Sequence, residues 1–326
     1  MTEPILDEKN SRFTCFPIEY PSIWNLYKKQ QSAFWKAEEI DFSQDKDDFE
    51  KLNENEKHFI KMILAFFASS DGIVNFNIRE RFLNEIKIME AQIAYAYQMM
   101  MENIHGEVYS LMLDNIISDS KEKETLFNAV KEIESIKQMS DWALKWVVSD
   151  KSFGCRVIAY CVVEGIIFQG TFAAIFWLKK YKSSGRLFMP GLTNSNELIA
   201  RDEGMHKDFG IEIFSLLKNK PDQKEVFEIV NEGVKLAKTF SRESLPCKLI
   251  GMNQDDMCLY LEYVGDRLLV ELGYSKFYNV KNPFLFMDTI GIMVKTNFFE
   301  KRESGYQSAF SVNNNKMKEL ILLKEF

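Results

Sequence analysis

Residues 102–110 read ENIHGEVYS, which sets a carboxylate (Glu102), an imidazole (His105) and a phenol (Tyr109) at relative positions 0, 3 and 7. Each residue of an α-helix turns the chain by about 100°, so these side chains fall within roughly 60° of one another. The flanking segments, YQMMM and LMLDNII, are rich in apolar residues. A charge, an imidazole and a phenol are therefore expected along one stripe of a helix that faces an interior.

The same arrangement occurs a second time. The chain has three histidines (His58, His105 and His206), and RDEGMH at 201–206 places Glu203 three residues before His206. Two further acids stand alone in strongly apolar stretches, Asp71 in ASSDGIV and Glu164 in VVEGIIF. One Glu-x-x-His pair is commonplace on an exposed helix face. Two pairs in apolar helices, with isolated acids in two others, match the ligand pattern of ferritin-like di-metal proteins: one carboxylate from each of two helices and Glu-x-x-His from each of the other two. Four carboxylates forced into an apolar bundle would repel one another and lose hydration, whereas two divalent cations cancel four negative charges. The expected metal ligands are thus Asp71, Glu102, His105, Glu164, Glu203 and His206. Oxygen and nitrogen donors without thiolate suit iron or manganese better than structural zinc. Tyr109 lies one turn beyond His105 and is expected to point towards the metals. Phe168 and Phe172 follow Glu164 by one and two turns, and Ile199 precedes Glu203 by one, so all three share a face with a ligand and could wall the phenol off from water.

The bulk composition agrees with a folded core. The chain has 326 residues, 46% hydrophobic and 27% charged, enough to bury a large interior. A net charge of −7 argues against nucleic-acid binding, which calls for clustered Lys and Arg. Five cysteines (15, 155, 161, 247 and 258) are odd in number and scattered, without a CxxC pair, which suggests reduced thiols in the cytoplasm. The start, MTEPILDEKNSRF, lacks the layout of a secretory signal. Val157–Leu178, VIAYCVVEGIIFQGTFAAIFWL, is long enough to cross a bilayer, but Glu164 inside it would cost roughly 2.5–3.5 kcal/mol there. No second such segment stands out, so the stretch is read as a buried helix with no membrane role.

None of the seven prolines falls between Pro21 and Pro190, which favours long helices. Helices are expected at about 55–83, 85–117, 122–148, 157–178, 196–217, 222–241, 253–273 and 283–293, with SSGRLFMPGLTNS as a break before the fifth. The fold class is all-α: a ferritin-like bundle with additional helices. Residues 1–304 are expected to form one domain, with 1–25 as an N-terminal arm and 305–326 as a flexible tail.

The motifs SSDGIV, MENIHGEVYS, VVEGIIFQGTFAAIFW, NELIARDEGMHKDF, VGDRLLVELGYSK and KTNFFEKR occur in an order and spacing that closely resemble the small subunit of class I ribonucleotide reductase, in its eukaryotic and large-DNA-virus branch. The resemblance runs from FPIEYPSIWNLYKKQQSAFWKAEEID to GYQ, nearly the whole chain. It implies a di-iron centre, oxo-bridged when oxidised, that activates dioxygen and leaves a stable radical on Tyr109. The ligand types suit manganese as well; the branch implies iron. It further implies transfer of the radical to a large catalytic subunit through Trp35, Asp202 and Tyr306. Asp202 precedes Glu203 and so faces another side, where it could accept a hydrogen bond from the outer nitrogen of His105 and link it to Trp35. A homodimer is implied, as is docking of the C-terminal tail on the large subunit. That tail departs from the family's acidic ending: it reads KELILLKEF, keeping Glu325 and Phe326. Two other readings compete: a di-iron oxygenase or oxidase of the same fold, in which Trp35, Asp202 and Tyr306 would be idle, and a non-catalytic small-subunit paralogue, which would have lost a ligand or the tyrosine.

Overall fold

Long runs without proline, capped by Asn, Asp and Ser, fold as helices. The computed structural model describes residues 3–245, 252–284 and 286–287. Thirteen α-helices occur among them. The first six are α1 (Pro21–Ser32), α2 (Asp45–Glu50), α3 (Glu54–Asn77), α4 (Leu83–Glu85), α5 (Met89–Ile116) and α6 (Ser120–Phe127). Next come α7 (Ala129–Glu132), α8 (Glu134–Val147), α9 (Phe153–Val162) and α10 (Phe168–Lys182). The last are α11 (Pro190–Ser215), α12 (Gln223–Ser244) and α13 (Gln254–Glu271). Among the described residues there is no β-strand, only an isolated bridge between Ser184 and Arg186. Met1–Pro283 is one compact unit and Phe284–Phe326 a second.

Local chemistry explains the helix starts. Asn53 opens α3 with a reciprocal cap: its side chain accepts from the Glu56 N–H, and Glu56 accepts from the Asn53 N–H, at 3.0 and 3.2 Å. The side chains of Ser152, Asp119, Asp222 and Asn253 cap α9, α6, α12 and α13 by accepting from first-turn N–H groups.

The structure departs from the sequence reading in several places. The helix expected over 122–148 is three pieces, because Asn128 donates its side-chain amide to Glu124 O and ends the turn there, and Ile133 is extended. Pro190 does not end the break but starts α11, its missing N–H being harmless at the first helical position. Helix α1 begins at Pro21, inside the stretch read as an arm. Nor is Val157–Leu178 alone in its apolarity. Glu54–Glu85 and Phe153–Lys182 are both long and apolar enough to span a bilayer, and 61% and 89% of their apolar windows are buried within the fold. The expected helix at 283–293 lies largely outside the described residues.

Four rods form the centre. α3 lies along α5, α11 packs on α9 and α10, and α5 meets α11; α1, α8, α12 and α13 wrap around them. Between α9 and α10 the chain makes one widened π-turn, Val163–Ile167, so that the two helices run on as a single rod with a bulge. Such bulges concentrate at functional positions.

Candidate metal centre

All six expected ligands converge in the interior. Asp71 comes from α3, Glu102 and His105 from α5, Glu164 from the π-turn, and Glu203 and His206 from α11; each is at most 2% exposed. Their donor atoms fall into two overlapping groups, each spanning no more than 4.8 Å: Glu102, Glu164, Glu203 and His206 form one, and Asp71, Glu102 and His105 the other. Glu102 belongs to both, so it could contribute to either of two adjacent cations. The remaining histidine, His58, is exposed and lies 3.2 Å from Glu243 O, away from this group.

The imidazoles turn the same nitrogen inward. His105 Nδ1 lies 2.9 Å from Glu203 Oε1 and 3.5 Å from Glu102 Oε2. His206 Nδ1 lies 2.8 Å from Glu203 Oε2 and 2.9 Å from Glu102 Oε1. Burial alone would lower the His206 imidazole, but Glu203 and Glu102 outweigh it and hold it up to about 10. Burial, together with the Glu102 charge, pushes the Asp71 carboxyl well above its usual range.

The cluster fits a pair of cations. Both Asp71 carboxylate oxygens, Glu102 Oε2 and Glu164 Oε2 are buried without a hydrogen-bond partner among the described residues. A buried carboxylate oxygen left unpaired costs several kcal/mol, in order of magnitude, so the protein side of this site is incomplete by itself. Hard oxygen and imidazole donors without thiolate match divalent iron or manganese.

Tyr109 is 1% exposed, and its hydroxyl is likewise buried with no hydrogen-bond partner among the described residues. Burial, with the charges of Asp71, Glu203 and Glu102 nearby, pushes the phenol well above its ordinary value. The ring that covers it is Phe67, stacked at 4.5 Å and 5°. Phe172 stacks on Phe67 in turn at 4.9 Å, and Phe168 meets Phe67 edge-on at 5.8 Å. Ile199 is buried at 1% exposure on the ligand-bearing α11. The sequence reading did not single out Phe67, although it stands one turn before Asp71 on the same stripe. It also passed over Gln98 and Tyr160, each one turn before a ligand.

On the outer side, Trp35 donates its indole N–H to Asp202 Oδ2 at 2.6 Å, and His105 Nε2 lies 3.3 Å from that same oxygen. The Trp35 and His105 rings are nearly parallel, at 5.9 Å and 18°. Arg201 donates to Asp202 Oδ1 at 2.9 Å and to Ala33 O at 2.7 Å, fixing the carboxylate to the segment before Trp35. Tyr306 lies outside the described residues.

Comparison with known proteins agrees with this geometry. The family model for the ribonucleotide reductase small chain matches residues 12–283. A ribonucleoside-diphosphate reductase small chain of Plasmodium falciparum is 51% identical over 326 residues, covering 100% of this chain and 92% of its own length. The vaccinia virus (strain Ankara) small chain is 52% identical over 305 residues, covering 94% of each. The solved Rnr4 homodimer of Saccharomyces cerevisiae superposes with a TM-score of 0.78 at 37% identity, over 93% of this chain and 92% of that one. A buried carboxylate–histidine cluster in an all-helical bundle, matched over nearly its full length by these relatives, has one consistent assignment: the chain belongs to the ribonucleotide reductase small-chain family, the radical-generating subunit of that oxidoreductase.

Proposed function

We propose that Asp71, Glu102, His105, Glu164, Glu203 and His206 hold two iron ions and that Tyr109 carries the radical which this subunit delivers. One observation supports this above the others: a fully buried phenol with no hydrogen-bond partner among the described residues sits on the same stripe, beside three carboxylates of the cluster. The chemistry such a metal pair supplies when bound is one-electron oxidation of a neighbouring phenol at the expense of dioxygen. The protein's part is to present Tyr109 in neutral form, keep water from it with Phe67, Phe168, Phe172 and Ile199, and take its proton as the electron leaves. Asp71, whose charge acts most strongly on the Tyr109 phenol and whose oxygens have no partner among the described residues, would serve as the acceptor. Manganese would satisfy the same donors; iron is favoured by likeness to the eukaryotic and poxviral chains.

The outward route runs from His105 through Asp202 to Trp35, and from there to Tyr306 in the tail. The continuous contacts at 3.3 and 2.6 Å support its first part. The partner is the large catalytic subunit that reduces ribonucleotides, reached by residues 305–326. The active form is a homodimer, in keeping with the Rnr4 homodimer it resembles. The compartment is the cytoplasm, where the free thiols of Cys15, Cys155, Cys161 and Cys258 persist.

The test is a low-temperature electron paramagnetic resonance spectrum after addition of ferrous iron and air, with metal analysis of the same sample. The expected outcome is about two irons per chain and a tyrosyl signal; Tyr109→Phe should keep the iron and lose the signal. A signal of undiminished intensity in Tyr109→Phe moves the radical to another residue.

A further inference from the structure

Opposite Asp71 and Tyr109 in the ligand set, a second buried phenol reaches the metal centre through an amide. Gln98 on α5 is 0% exposed and stands one turn before Glu102; Tyr160 on α9 is 3% exposed and stands one turn before Glu164. Gln98 Nε2 lies 3.0 Å from Glu102 Oε1 and 3.3 Å from Glu164 Oε1, and the Tyr160 hydroxyl lies 2.8 Å from Gln98 Oε1 and 2.6 Å from Gln98 Nε2. The donor inventory fixes the direction of each bond. An ionised carboxylate only accepts, and the amide nitrogen has two hydrogens for three oxygens in reach; with the Tyr160 hydroxyl donating to Oε1, both hydrogens serve the two glutamates. The amide oxygen is then left to accept from the Tyr160 hydroxyl. One neutral group thereby donates to two carboxylates that belong to different helices.

Tyr160 is itself firmly placed. Its ring meets Phe82 edge-on at 5.5 Å and Tyr95 at 6.4 Å. On the side of α11 the backbone of Gly210 comes so close that a Cβ there would stand 2.9 Å from Tyr160 Cε1. Gln98 is thus held between the Tyr160 hydroxyl and the two glutamates.

We propose that Gln98, anchored by the Tyr160 hydroxyl, is a positioning residue that sets the spacing and orientation of Glu102 and Glu164 for the cation pair. The inference rests on the metal-centre reading above. Donation from a neutral amide orients both carboxylates without adding a charge to a site that already carries four acids. It also reserves one oxygen of each, Glu102 Oε2 and Glu164 Oε2, for a cation, and those are the two that lack a hydrogen bond. Outer partners that orient metal ligands commonly change affinity by 10–100-fold when removed.

The experiment is a double-mutant cycle on ferrous-iron affinity, measured by chelator competition in the full chain, with metal stoichiometry and thermal unfolding of the iron-depleted proteins alongside. Gln98→Met keeps the size and removes the donor; Tyr160→Phe removes only the hydroxyl. Gln98→Met should weaken iron binding by roughly 10–100-fold, Tyr160→Phe by less, and the double variant should bind no worse than Gln98→Met alone. Iron affinity of Gln98→Met within about twofold of the parent, or a Tyr160→Phe loss that persists in full in the Gln98→Met background, overturns the proposal. So does a lowered unfolding midpoint of the iron-depleted variants with unchanged affinity, the mark of a structural role only. Failure of the parent chain to take up two cations would instead overturn the metal-centre reading itself.

Discussion

Tyr109 and Tyr160 are both buried phenols beside carboxylates of the cluster, yet their partners separate their roles. Tyr160 donates its hydroxyl to the Gln98 carbonyl, while the Tyr109 hydroxyl has no hydrogen-bond partner among the described residues and its ring lies flat on Phe67. Only the second can lose a proton without breaking an existing bond, and only the second is stacked in an aromatic wall. That the six side chains would cluster was legible in the sequence, because charge or imidazole at fixed helical spacing is conspicuous in apolar surroundings. Phe67, Gln98 and Tyr160 were not, since a phenylalanine, an amide and a tyrosine in an apolar helix look like any core residue. Their signal was positional: each stands four residues before an acidic ligand, the row that covers it from the N-terminal side. Trp35 illustrates the limit from the other direction, because nothing near it in the chain marks its bond to Asp202, 167 residues away. Trp35→Phe retains a ring against His105 and removes the indole N–H. Iron content and the tyrosyl signal should stay at the parent level, while nucleotide reduction with the large subunit falls to background. Turnover at the parent rate would remove Trp35 from the route.

At the scale of elements, two devices place the ligands and neither is announced by periodicity. The π-turn at Val163–Ile167 interrupts what reads as one uniform apolar helix, and Glu164 sits inside it. Helix α11, which carries Glu203 and His206, begins where a break was expected because α2 binds its start. Asp45 accepts from the N–H groups of Gly191 and Leu192, at 2.9 and 2.7 Å, and Asp48 accepts from Met189 N–H at 3.0 Å. Met189 adopts a left-handed backbone (φ 43°), an uncommon conformation for a residue with a side chain, so this corner is held by its partners rather than by local preference. The Arg186 guanidinium, aided by Met189 N–H and Lys51, holds the Asp48 carboxyl well below its ordinary value of 3.8. A depressed carboxyl contributes its full stabilisation above its unfolded value and loses it progressively as pH falls from about 4 towards the depressed value. Asp48→Asn should therefore lower the unfolding free energy at pH 7 by about 1–2 kcal/mol, discounted for the half-exposed Arg186. Denaturant titrations should show the gap between parent and variant closing as pH drops from 4 towards 2. A gap that stays constant over that range would mean that the charge of Asp48 is irrelevant to the corner.

For the whole molecule, the all-helical bundle was readable from the proline-free interval and from the apolar rods, because a carboxylate in a hydrocarbon-like helix makes sense only where other helices answer it. The short α2 was not readable: DKDDFE is six residues of mostly charge, and its helical form depends on the contacts it makes with the start of α11. The consequence of the arrangement is a coupling between chemistry and stability. The clustered acids and histidines at positions 71, 102–105, 164 and 203–206 come from distant parts of the chain, so the proposed centre would tie together α3, α5, the π-turn and α11. The unfolded chain has no such assembled set, and metal binding to the folded form adds directly to its stability. With free ferrous iron at a thousand times its dissociation constant, the gain is roughly 4 kcal/mol, as large as a good fraction of a typical domain's net stability. Calorimetry under anaerobic conditions should show a clearly higher unfolding temperature with iron than after chelation, and the difference should grow with the logarithm of free iron. Glu164→Ala removes one donor from the four-residue group and leaves the other rods intact, so most of that difference should vanish while the chelated variant remains folded. An iron-dependent shift that survives Glu164→Ala unchanged would show that the cations bind elsewhere and that the convergence of these helices has another cause.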